Sequence, residues 1–530
     1  MKKKNYNLMY NNDNSHLCLV EESKREKRII GVIDIGANFV KAHIAQRKED
    51  RFFETIEDIK KPLPIGKDTF SIGRISNTIL LQLAKILKEL KEVFKTYEVQ
   101  DTLVFASTAI REAKNCDLVI ERIKIATDLD IKLVETIEES FYKYQYMKRH
   151  DCYLRLFGNK SVLIFDIGSS GLSLMIVEGD RLKYASNLEI GSLKLRALLS
   201  NLERETLDFA DILDEFIESK MHTISQEIKN FKIDFAIGLG GESKVIYNLI
   251  FKEEPPRDIS NISKDKLLKF YDEIKDKTTI NLVEDYNLIP PVANVLLPST
   301  IIFKKIIDIL DLEEVGIMGF SFRSAVAYSI LIDEDDLYED DILSVSESIA
   351  KKYSRNINIS KRMLKFAISI FDHTKCYHAM GKKEKILLKV ACILHDVGKV
   401  IDVNDPGEHS YSIINFVKIP GLSIEERDII ANSVKIYQKK DPDEKDCSFN
   451  CKTIKDRLTI TKIAAILKLS NALDSSQKGK IQDIKLDIED HYLIFRAITQ
   501  DDILLEKWHF NNEAIFFRRI FGLIPILKVV

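Results

Sequence analysis

The chain has 530 residues, of which 45% are hydrophobic and 30% charged, and its formal net charge is -3. This length predicts roughly three or four domains, and the balanced charge excludes a general attraction to nucleic acid or membranes, so any anion site must be local. The sequence has no run of about 18 apolar residues that would predict a transmembrane helix, and its seven scattered cysteines are typical of reduced thiols in a cytoplasmic protein.

The N-terminal residues 1–28 are polar and are predicted to form a mobile extension. Ordered structure is expected from Ile29 onwards. Residues 31–45 predict a hairpin: a β-rich strand ends in Asp34-Ile-Gly36, a small-residue turn follows, and a second strand alternates apolar with other residues. Further strand and helix patterns complete a first unit.

The same hairpin pattern occurs again at 163–177, where the strand ends in Asp166-Ile-Gly168. Strands alternate with helices in both units, which predicts an α/β class with mixed sheets. An acidic stretch at 333–341 marks the next boundary, where a solvated connection or a helix start is favoured over a binding role. After it the periodicity is helical until strand patterns return near the C-terminus. The predicted domains are the extension 1–28, α/β units 29–157 and 158–335, a helical domain 336–479 and an α/β cap 480–530.

The duplicated hairpin predicts one phosphate site between the two units, although either copy alone is also compatible with a purely structural turn. Gly36 and Gly168 would let the backbone approach a phosphate chain, and successive N–H groups can form an anion-binding concavity. Asp34 and Asp166, at the strand ends, could hold Mg²⁺ directly or through its waters. The sequence has no P-loop motif, and its glycine run at 238–241 lacks the last glycine of the dinucleotide fingerprint.

Further segments carry a family resemblance. Residues 105–115, Phe-Ala-Ser-Thr-Ala-Ile-Arg-Glu-Ala-Lys-Asn, are close to a family motif Ala-Thr-Ser-Ala-Leu-Arg-x-Ala-x-Asn. Residues 134–140, Val-Glu-Thr-Ile-Glu-Glu-Ser, are similar to Ile-Ser-Gly-x-Glu-Glu-Ala, and residues 188–195 and 238–241 resemble two later motifs. In this order, and with the hairpins, the chain resembles the exopolyphosphatase and guanosine pentaphosphate phosphohydrolase (Ppx/GppA) family in its long form.

The resemblance implies two actin-like ATPase (ribonuclease H-like) lobes, then an all-α HD-like domain and a small α/β cap. It implies a cytoplasmic hydrolase that depends on Mg²⁺, with Mn²⁺ as an alternative ion, and releases terminal orthophosphate from inorganic polyphosphate. Guanosine pentaphosphate, which would yield the tetraphosphate, is a second expected substrate. A homodimer is expected, and neither nucleic acid nor a membrane is expected as a partner.

The resemblance also assigns roles to individual residues. Glu138 aligns with a water-activating glutamate, and Glu139 beside it is the second candidate catalytic residue, although two exposed acids at a helix start are the simpler alternative. Arg111 would bind phosphate oxygens, with a surface salt bridge as its alternative. Asp166 would hold Mg²⁺, with Asp34 as the weaker partner. The candidate phosphate-binding residues are Arg111, Gly36, Asn38, Lys41, Gly168, Ser169, Ser170, Gly240 and Gly241.

The second hairpin departs from the family pattern Asp-Ile-Gly-Gly-Gly-Ser-Thr-Glu-Leu. Ser169 and Ser170 replace two glycines, and Ser173 stands where the family has a site glutamate. The lost carboxylate is expected to weaken Mg²⁺ binding, whereas the serine hydroxyls could still donate hydrogen bonds to phosphate. The alternative prediction is therefore a catalytically weakened regulatory protein that binds polyphosphate or guanosine polyphosphates.

The helical region contains an adjacent His395-Asp396 pair that resembles the HD-domain pattern. The resemblance implies a divalent metal ion held by imidazole and carboxylate ligands, and hydrolysis of a phosphate ester there is a third functional hypothesis. A histidine whose hydrogen bonds are satisfied within the helix is the simpler alternative for His395. The candidate metal ligands are His378, His395, Asp396 and Asp474, with His373 as an alternative to His378 and His409 as a further histidine.

Overall fold

The structure is a computed structural model that describes residues 28–48, 53–149, 153, 158–199, 208–255, 258–332, 337–353, 357–440, 442 and 453–530. Of the predicted N-terminal extension, only Arg28 falls within these ranges. The remainder of that prediction lies outside the described residues.

The first α/β unit is built on a five-stranded sheet. Its strands are β1 (Ile29–Ile35), β2 (Phe39–Arg47), β3 (Phe53–Pro62), β4 (Asp101–Ala106) and β5 (Ile131–Leu133). Its helices are α1 (Ile65–Ile72), α2 (Asn77–Thr96), α3 (Thr108–Arg111), α4 (Cys116–Thr127) and α5 (Thr136–Lys148). The strands lie in the order β3-β2-β1-β4-β5, with β1 and β2 as an antiparallel hairpin and β4 parallel to β1. Leu80, Leu83 and Leu87 form one face of α2, and burying this face in the core below the sheet stabilises the helix.

The second α/β unit repeats this arrangement on a six-stranded sheet. Its strands are β6 (Ser161–Ile167), β7 (Leu172–Glu178), β8 (Arg181–Leu188), β9 (Phe235–Leu239), β10 (Ser260–Ser263) and β11 (Glu314–Ile317). Its helices are α6 (Ser192–Leu199), α7 (Phe209–Ile228), α8 (Gly240–Phe251), α9 (Lys264–Ile274), α10 (Thr279–Tyr286), α11 (Pro290–Leu310) and α12 (Phe322–Ile332). The order is β10-β11-β9-β6-β7-β8, again with an antiparallel hairpin, β6 and β7, next to a parallel strand, β9.

Two helices are exchanged between the units. α5, from the first half of the sequence, buries Phe141 in a core with Met175 of the second sheet. α12, from the second half, buries Phe322 and Val326 in a core with Val32 of the first sheet. A domain boundary at one position in the sequence does not describe this exchange of helices. The exchange determines which side chains reach the strand ends.

A helical region and a small sheet complete the described chain. The helices are α13 (Leu337–Tyr353), α14 (Ile357–His373), α15 (Lys375–His378), α16 (Lys382–Leu394), α17 (Gly407–Phe416), α18 (Ile424–Gln438) and α19 (Ile454–Ala472), with a 3₁₀ turn at Val397–Val400. The C-terminal part contains β12 (Asp483–Glu489), β13 (Tyr492–Ile498), α20 (Leu504–Phe521) and β14 (Ile524–Val529). Phe495 and Phe510 join the core of the helices, so the cap and the helical region share one core. The mixed sheets and the helical C-terminal region agree with the sequence prediction, whereas the actin-like and HD-like assignments stay predictions.

The acidic boundary is not simply solvated. Asp341, early in α13, is 1% exposed and accepts hydrogen bonds from Lys148 at 3.1 Å, Tyr144 at 3.2 Å and the Leu182 N–H at 2.9 Å. This carboxylate therefore attaches the helical region to α5 and β8. Among the helices of the described ranges, none has both the length and the apolar character that a membrane crossing requires.

Candidate active site

A cleft of about 1650 Å³ lies between the two α/β units. Residues of both hairpin turns and of the start of α8 line it. The lining residues that the sequence analysis singled out are Asp34, Gly36, Asn38, Lys41, Glu139, Gly168, Ser169, Gly240 and Gly241. The tertiary structure therefore brings both copies of the repeated motif to one cavity.

The two turns are oriented by hydrogen bonds to neighbouring helices. The Ala37 carbonyl oxygen accepts a hydrogen bond from a backbone N–H in the first turn of α1 at 2.7 Å. The Gly168 carbonyl oxygen accepts one from the first turn of α6 at 3.2 Å. Because the C=O and N–H of a trans peptide point in opposite directions, the N–H groups of Asn38 and Ser169 are directed away from these helices. Both residues line the cleft, so the turns can offer backbone donors to an anion.

The start of α8 forms the third backbone segment of the cleft. Gly240 has a φ of +90°, and a Cβ there would lie only 2.4 Å from Asp166 Oδ1, so both conformation and packing require glycine. A Cβ at Gly241 would meet nothing within 4 Å. The first turn of α8 therefore borders open space, where an anion can approach its backbone N–H groups.

Only one of the two glutamates predicted as catalytic faces the cleft. Glu139 lines it, and burial together with the carboxylates of Asp34 and Asp166 raises the pKa of Glu139 to about 8. The Glu138 carboxylate instead lies 2.9 Å from Lys132 Nζ and is not part of the cleft lining. The two side chains separate because successive residues of a helix face different directions, so the cleft lining supports Glu139 and not Glu138 as the candidate catalytic residue.

Asp166 is the second-last residue of β6 and is 3% exposed. Its Oδ2 atom accepts hydrogen bonds from Lys143 Nζ at 2.6 Å and from Ser140 Oγ at 2.8 Å, and its Oδ1 atom has no hydrogen-bond partner. Ser173 is fully buried, and its hydroxyl donates to Asn187 Oδ1 at 3.2 Å. Within the described ranges, no three His, Cys, Asp or Glu side chains are placed to hold a metal ion. This donor set does not fit the Mg²⁺ site expected at Asp166, whereas Mg²⁺ dependence itself stays a prediction.

Lys143 was not identified from the sequence, although a signal for it exists. It lies four residues after Glu139 and three after Ser140, a spacing that places all three side chains on one helix face. Lys143 is 8% exposed and lines the cleft.

Asp34 ends β1 in the position that matches Asp166 in β6. Its carboxylate lies 3.7 Å from Nη1 of Arg323, which α12 brings from the second half of the chain. The guanidinium of Arg323 also donates to Asp58 at 3.0 Å. Although burial opposes ionisation, the interaction with His43, whose Nδ1 lies 3.8 Å away, and the Arg323 cation together lower the pKa of Asp58 to about 2. Neither Arg323 nor Asp58 was predicted, because their proximity depends on the exchange of helices.

Two lysines of the first sheet meet in the cleft. Lys41 of β2 lies directly opposite Lys60 of β3, and both line the cavity. Burial, together with the charges of Lys41 and Arg323, lowers the pKa of Lys60. Like charges opposite each other destabilise a sheet, so this arrangement is suited to an anion that binds between them. Lys41 was expected from the sequence. Lys60 was not, because its position opposite Lys41 depends on the strand register.

Arg111 and Ser170 do not take the predicted positions. The Arg111 guanidinium donates to the Val134 carbonyl and, at 3.0 Å, to Thr108 Oγ1. The Ser170 hydroxyl donates to the same Thr108 oxygen at 2.7 Å. These residues therefore form a polar contact between the units, and neither belongs to the cleft lining. The predicted phosphate-binding role of Arg111 and Ser170 therefore stays a prediction, without support from the cleft lining.

Among the predicted metal ligands of the helical region, His395 and Asp396 lie together, with Nε2 and Oδ2 3.4 Å apart, whereas His378 and Asp474 have other partners. His378 uses both ring nitrogens locally, with the Phe371 carbonyl at 2.8 Å and the Met380 N–H at 2.9 Å. The Nδ1 atom of His395 bonds to the Cys392 carbonyl at 2.8 Å.

The two carboxylates of that set have cationic partners. Asp396 lies 2.8 Å from Lys399 Nζ, and Asp474 lies 2.6 Å from Arg362 Nε. No metal cluster forms among the described His, Cys, Asp and Glu side chains. The HD-type metal site and the phosphate-ester hypothesis therefore stay predictions, without support from these side-chain positions.

Two family models match the chain. The model of the Ppx/GppA phosphatase family matches residues 43–334, and that of Ppx/GppA phosphatase, domain III, matches residues 343–510. A guanosine-5'-triphosphate,3'-diphosphate pyrophosphatase of Vibrio atlanticus is 19% identical over 415 residues, which cover 78% of this chain and 81% of the relative. Its counterpart from Vibrio campbellii is 20% identical over 420 residues, with the same coverage of 78% and 81%.

A solved structure shows the same fold. The exopolyphosphatase from Cytophaga hutchinsonii is similar with a TM-score of 0.51 at 16% identity, and the match covers 57% of this chain and 98% of that chain. The family match at 43–334 alone includes more than half of the sequence. The chain therefore belongs to the Ppx/GppA phosphatase family.

Proposed function

We propose that this protein hydrolyses the terminal phosphoanhydride bond of a linear phosphate chain. The two candidate substrates are inorganic polyphosphate and the triphosphate end of guanosine pentaphosphate, in keeping with the names of the similar proteins. The observation that carries the proposal is the position of Glu139, which faces the same cleft as both hairpin turns and the start of α8.

The proposed reaction needs donors for the phosphate and a base for water. Backbone N–H groups of Asn38, Ser169 and the start of α8 bind the terminal phosphate. Glu139 accepts a proton from a water molecule whose oxygen attacks the terminal phosphorus, and the bond from that phosphorus to the bridging oxygen breaks. Orthophosphate leaves, and the bridging oxygen keeps the electron pair at the end of the shortened chain.

The charges of the cleft support a chain of phosphates as the substrate. Lys41, Lys60 and Arg323 are grouped beside the first turn, and the lowered pKa of Lys60 reflects burial and the nearby cations. A bound polyanion would relieve this repulsion and neutralise the excess positive charge. Lys41 and Lys60 lie on the wall formed by β2 and β3, and we expect the next phosphates of a chain to bind there.

A phosphate-release assay with polyphosphate and with guanosine pentaphosphate tests the proposal. We expect release from at least one substrate, and we expect Glu139→Gln to reduce turnover about 10²- to 10⁴-fold, because it removes the base. Glu138→Gln is the matched control and should retain nearly full turnover. Absence of release from both substrates would contradict hydrolysis, and equal turnover in wild type and Glu139→Gln would contradict Glu139 as the base.

A second candidate is a regulatory protein that binds these chains without turning them over. The observation that favours it is the buried hydroxyl of Ser173, which replaces a carboxylate and is bonded to Asn187. Calorimetry with either ligand tests this function. Tight binding without phosphate release would support it, and lack of binding to both ligands would exclude it.

A further inference from the structure

The carboxylate expected to hold a divalent cation already has a cationic partner. Lys143 Nζ lies 2.6 Å from Asp166 Oδ2, and the Ser140 hydroxyl donates to the same oxygen at 2.8 Å. The side chains of Lys143 and Asp166 are only 10% and 4% exposed. A divalent ion at this oxygen would have to displace an ammonium group and would meet its positive charge.

The Lys143 ammonium is also placed to contact a ligand. It lines the cleft and lies 3.4 Å from the position that a Cβ of Gly240 would take. An ammonium group has three donors, and Asp166 accepts one of them. The carboxylates of Asp166 and Glu139 both act on this ammonium group.

We propose that the ammonium of Lys143 takes the place of a divalent cation beside Asp166 and binds the phosphate chain directly. Asp166 then orients this lysine instead of a metal ion. Ser173 fits this arrangement, because a site with a resident ammonium does not need a second carboxylate ligand at that position. The inference rests on the proposed phosphate-binding function and specifies the group that neutralises charge at the floor of the cleft.

Calorimetry with inorganic tripolyphosphate, in EDTA and in excess Mg²⁺, tests the inference without requiring turnover. We expect the wild-type dissociation constant in EDTA to lie within threefold of that in Mg²⁺. Lys143→Met should weaken binding in EDTA at least tenfold. Lys132→Met is the matched control, because Lys132 pairs with Glu138 outside the cleft lining, and it should bind like wild type.

A second experiment uses Mn²⁺ without phosphate, and a double variant controls for misfolding of Lys143→Met. Titration with Mn²⁺ should give the same heat for the wild-type protein and for Asp166→Asn, because no stoichiometric Mn²⁺ site depends on this carboxylate. The pair Lys143→Met with Asp166→Asn removes both buried charges, so it keeps the fold and should still lose tripolyphosphate binding in EDTA. Mn²⁺ binding that depends on Asp166 would overturn the inference.

The outcomes separate this inference from the function on which it rests. Binding that requires Mg²⁺ and is unchanged in Lys143→Met would overturn the role of the lysine but leave the phosphohydrolase proposal intact. Absence of tripolyphosphate binding in both buffers would overturn both. Binding in EDTA that depends on Lys143 supports the inference even if no phosphate is released.

Discussion

The two hairpins share a backbone but differ in the charges that surround them. In each, the aspartate is the second-last residue of the first strand: Asp34 pairs with Lys41, and Asp166 pairs with Ser173, across the hairpin. Asp34 faces Arg323 at 3.7 Å and its side chain is 14% exposed, whereas Asp166 is bonded to Lys143 at 2.6 Å and its side chain is 4% exposed.

In both cases, a helix from the other half of the chain supplies the cation. α5 brings Lys143 to Asp166 of the second sheet, and α12 brings Arg323 to Asp34 of the first. The repeated strand and turn therefore place a carboxylate in each unit, and the exchanged helices determine which cation lies beside it. The predictions that follow test how far the two halves differ.

The largest expected difference is in stability. Lys143→Met leaves the buried Asp166 without its cation and should lower the free energy of unfolding by about 3–5 kcal/mol. Arg323→Met at the first hairpin should cost about 1–2 kcal/mol, because its partners Asp34 and Asp58 keep access to water. Chemical denaturation measures both variants. Equal losses would show that the two aspartates are held alike.

The pH dependence of turnover examines Glu139, which lies between the two aspartates. As a general base it acts when deprotonated, so a pKa of about 8 predicts that kcat/KM rises roughly tenfold between pH 7 and pH 9. Asp34→Asn removes one of the charges that raise this pKa and should move the rising limb to lower pH. A rate profile that is flat over this range would contradict the assignment of the base.

The raised pKa of Glu139 also predicts how the free energy of unfolding changes with pH. Because the pKa of Glu139 is raised in the folded state, the folded protein holds this proton more tightly than the unfolded chain does. Its contribution to the free energy of unfolding is complete below about pH 4.5 and declines as pH rises toward about 8. Glu139→Gln should remove this part of the slope, as measured by denaturation at pH 5.5 and 8.5.

A smaller effect is expected from the lysine pair of the first hairpin, which the second lacks. Lys60→Met should weaken tripolyphosphate binding about three- to tenfold, because it removes one cation from the cleft, and should change stability by less than about 0.5 kcal/mol, because it also relieves repulsion with Lys41. Lys61→Met is the control, since Lys61 faces Glu89 at 3.7 Å outside the cleft. Equal binding by both variants would separate Lys60 from the phosphate site.

The smallest effect concerns the glycines that begin the turns. Neither Gly36 nor Gly168 has a positive φ, and a Cβ would lie 3.3 Å from the Phe39 carbonyl in the first turn and 3.5 Å from the Gly171 carbonyl in the second. Replacing either with alanine should change the free energy of unfolding by less than about 1 kcal/mol, with Gly36→Ala the more costly. A large loss in Gly168→Ala would show that the second turn is the tighter one.

The sequence predicted the backbone of the site better than its side chains. The hairpins were visible because strand alternation, a terminal aspartate and a glycine turn occur in neighbouring residues. A motif match does not show which way a side chain points, and in the structure Arg111 and Ser170 both contact Thr108 between the units. For the same reason, the sequence did not show that His378 and His395 form local hydrogen bonds, which would compete with a metal ion.

The sequence by itself determined two α/β units, a helical region with a small cap, and a pair of turns that belong to one family of phosphatases. Local patterns suffice for these features, because strands, turns and helix faces are defined by residues close together in the chain. Only the tertiary structure decided that Glu139 faces the cleft, that Lys143 meets Asp166 and that Lys60 joins Lys41. Those pairings depend on helix exchange and strand register, and these are set by the packing of cores from residues that are distant in the sequence.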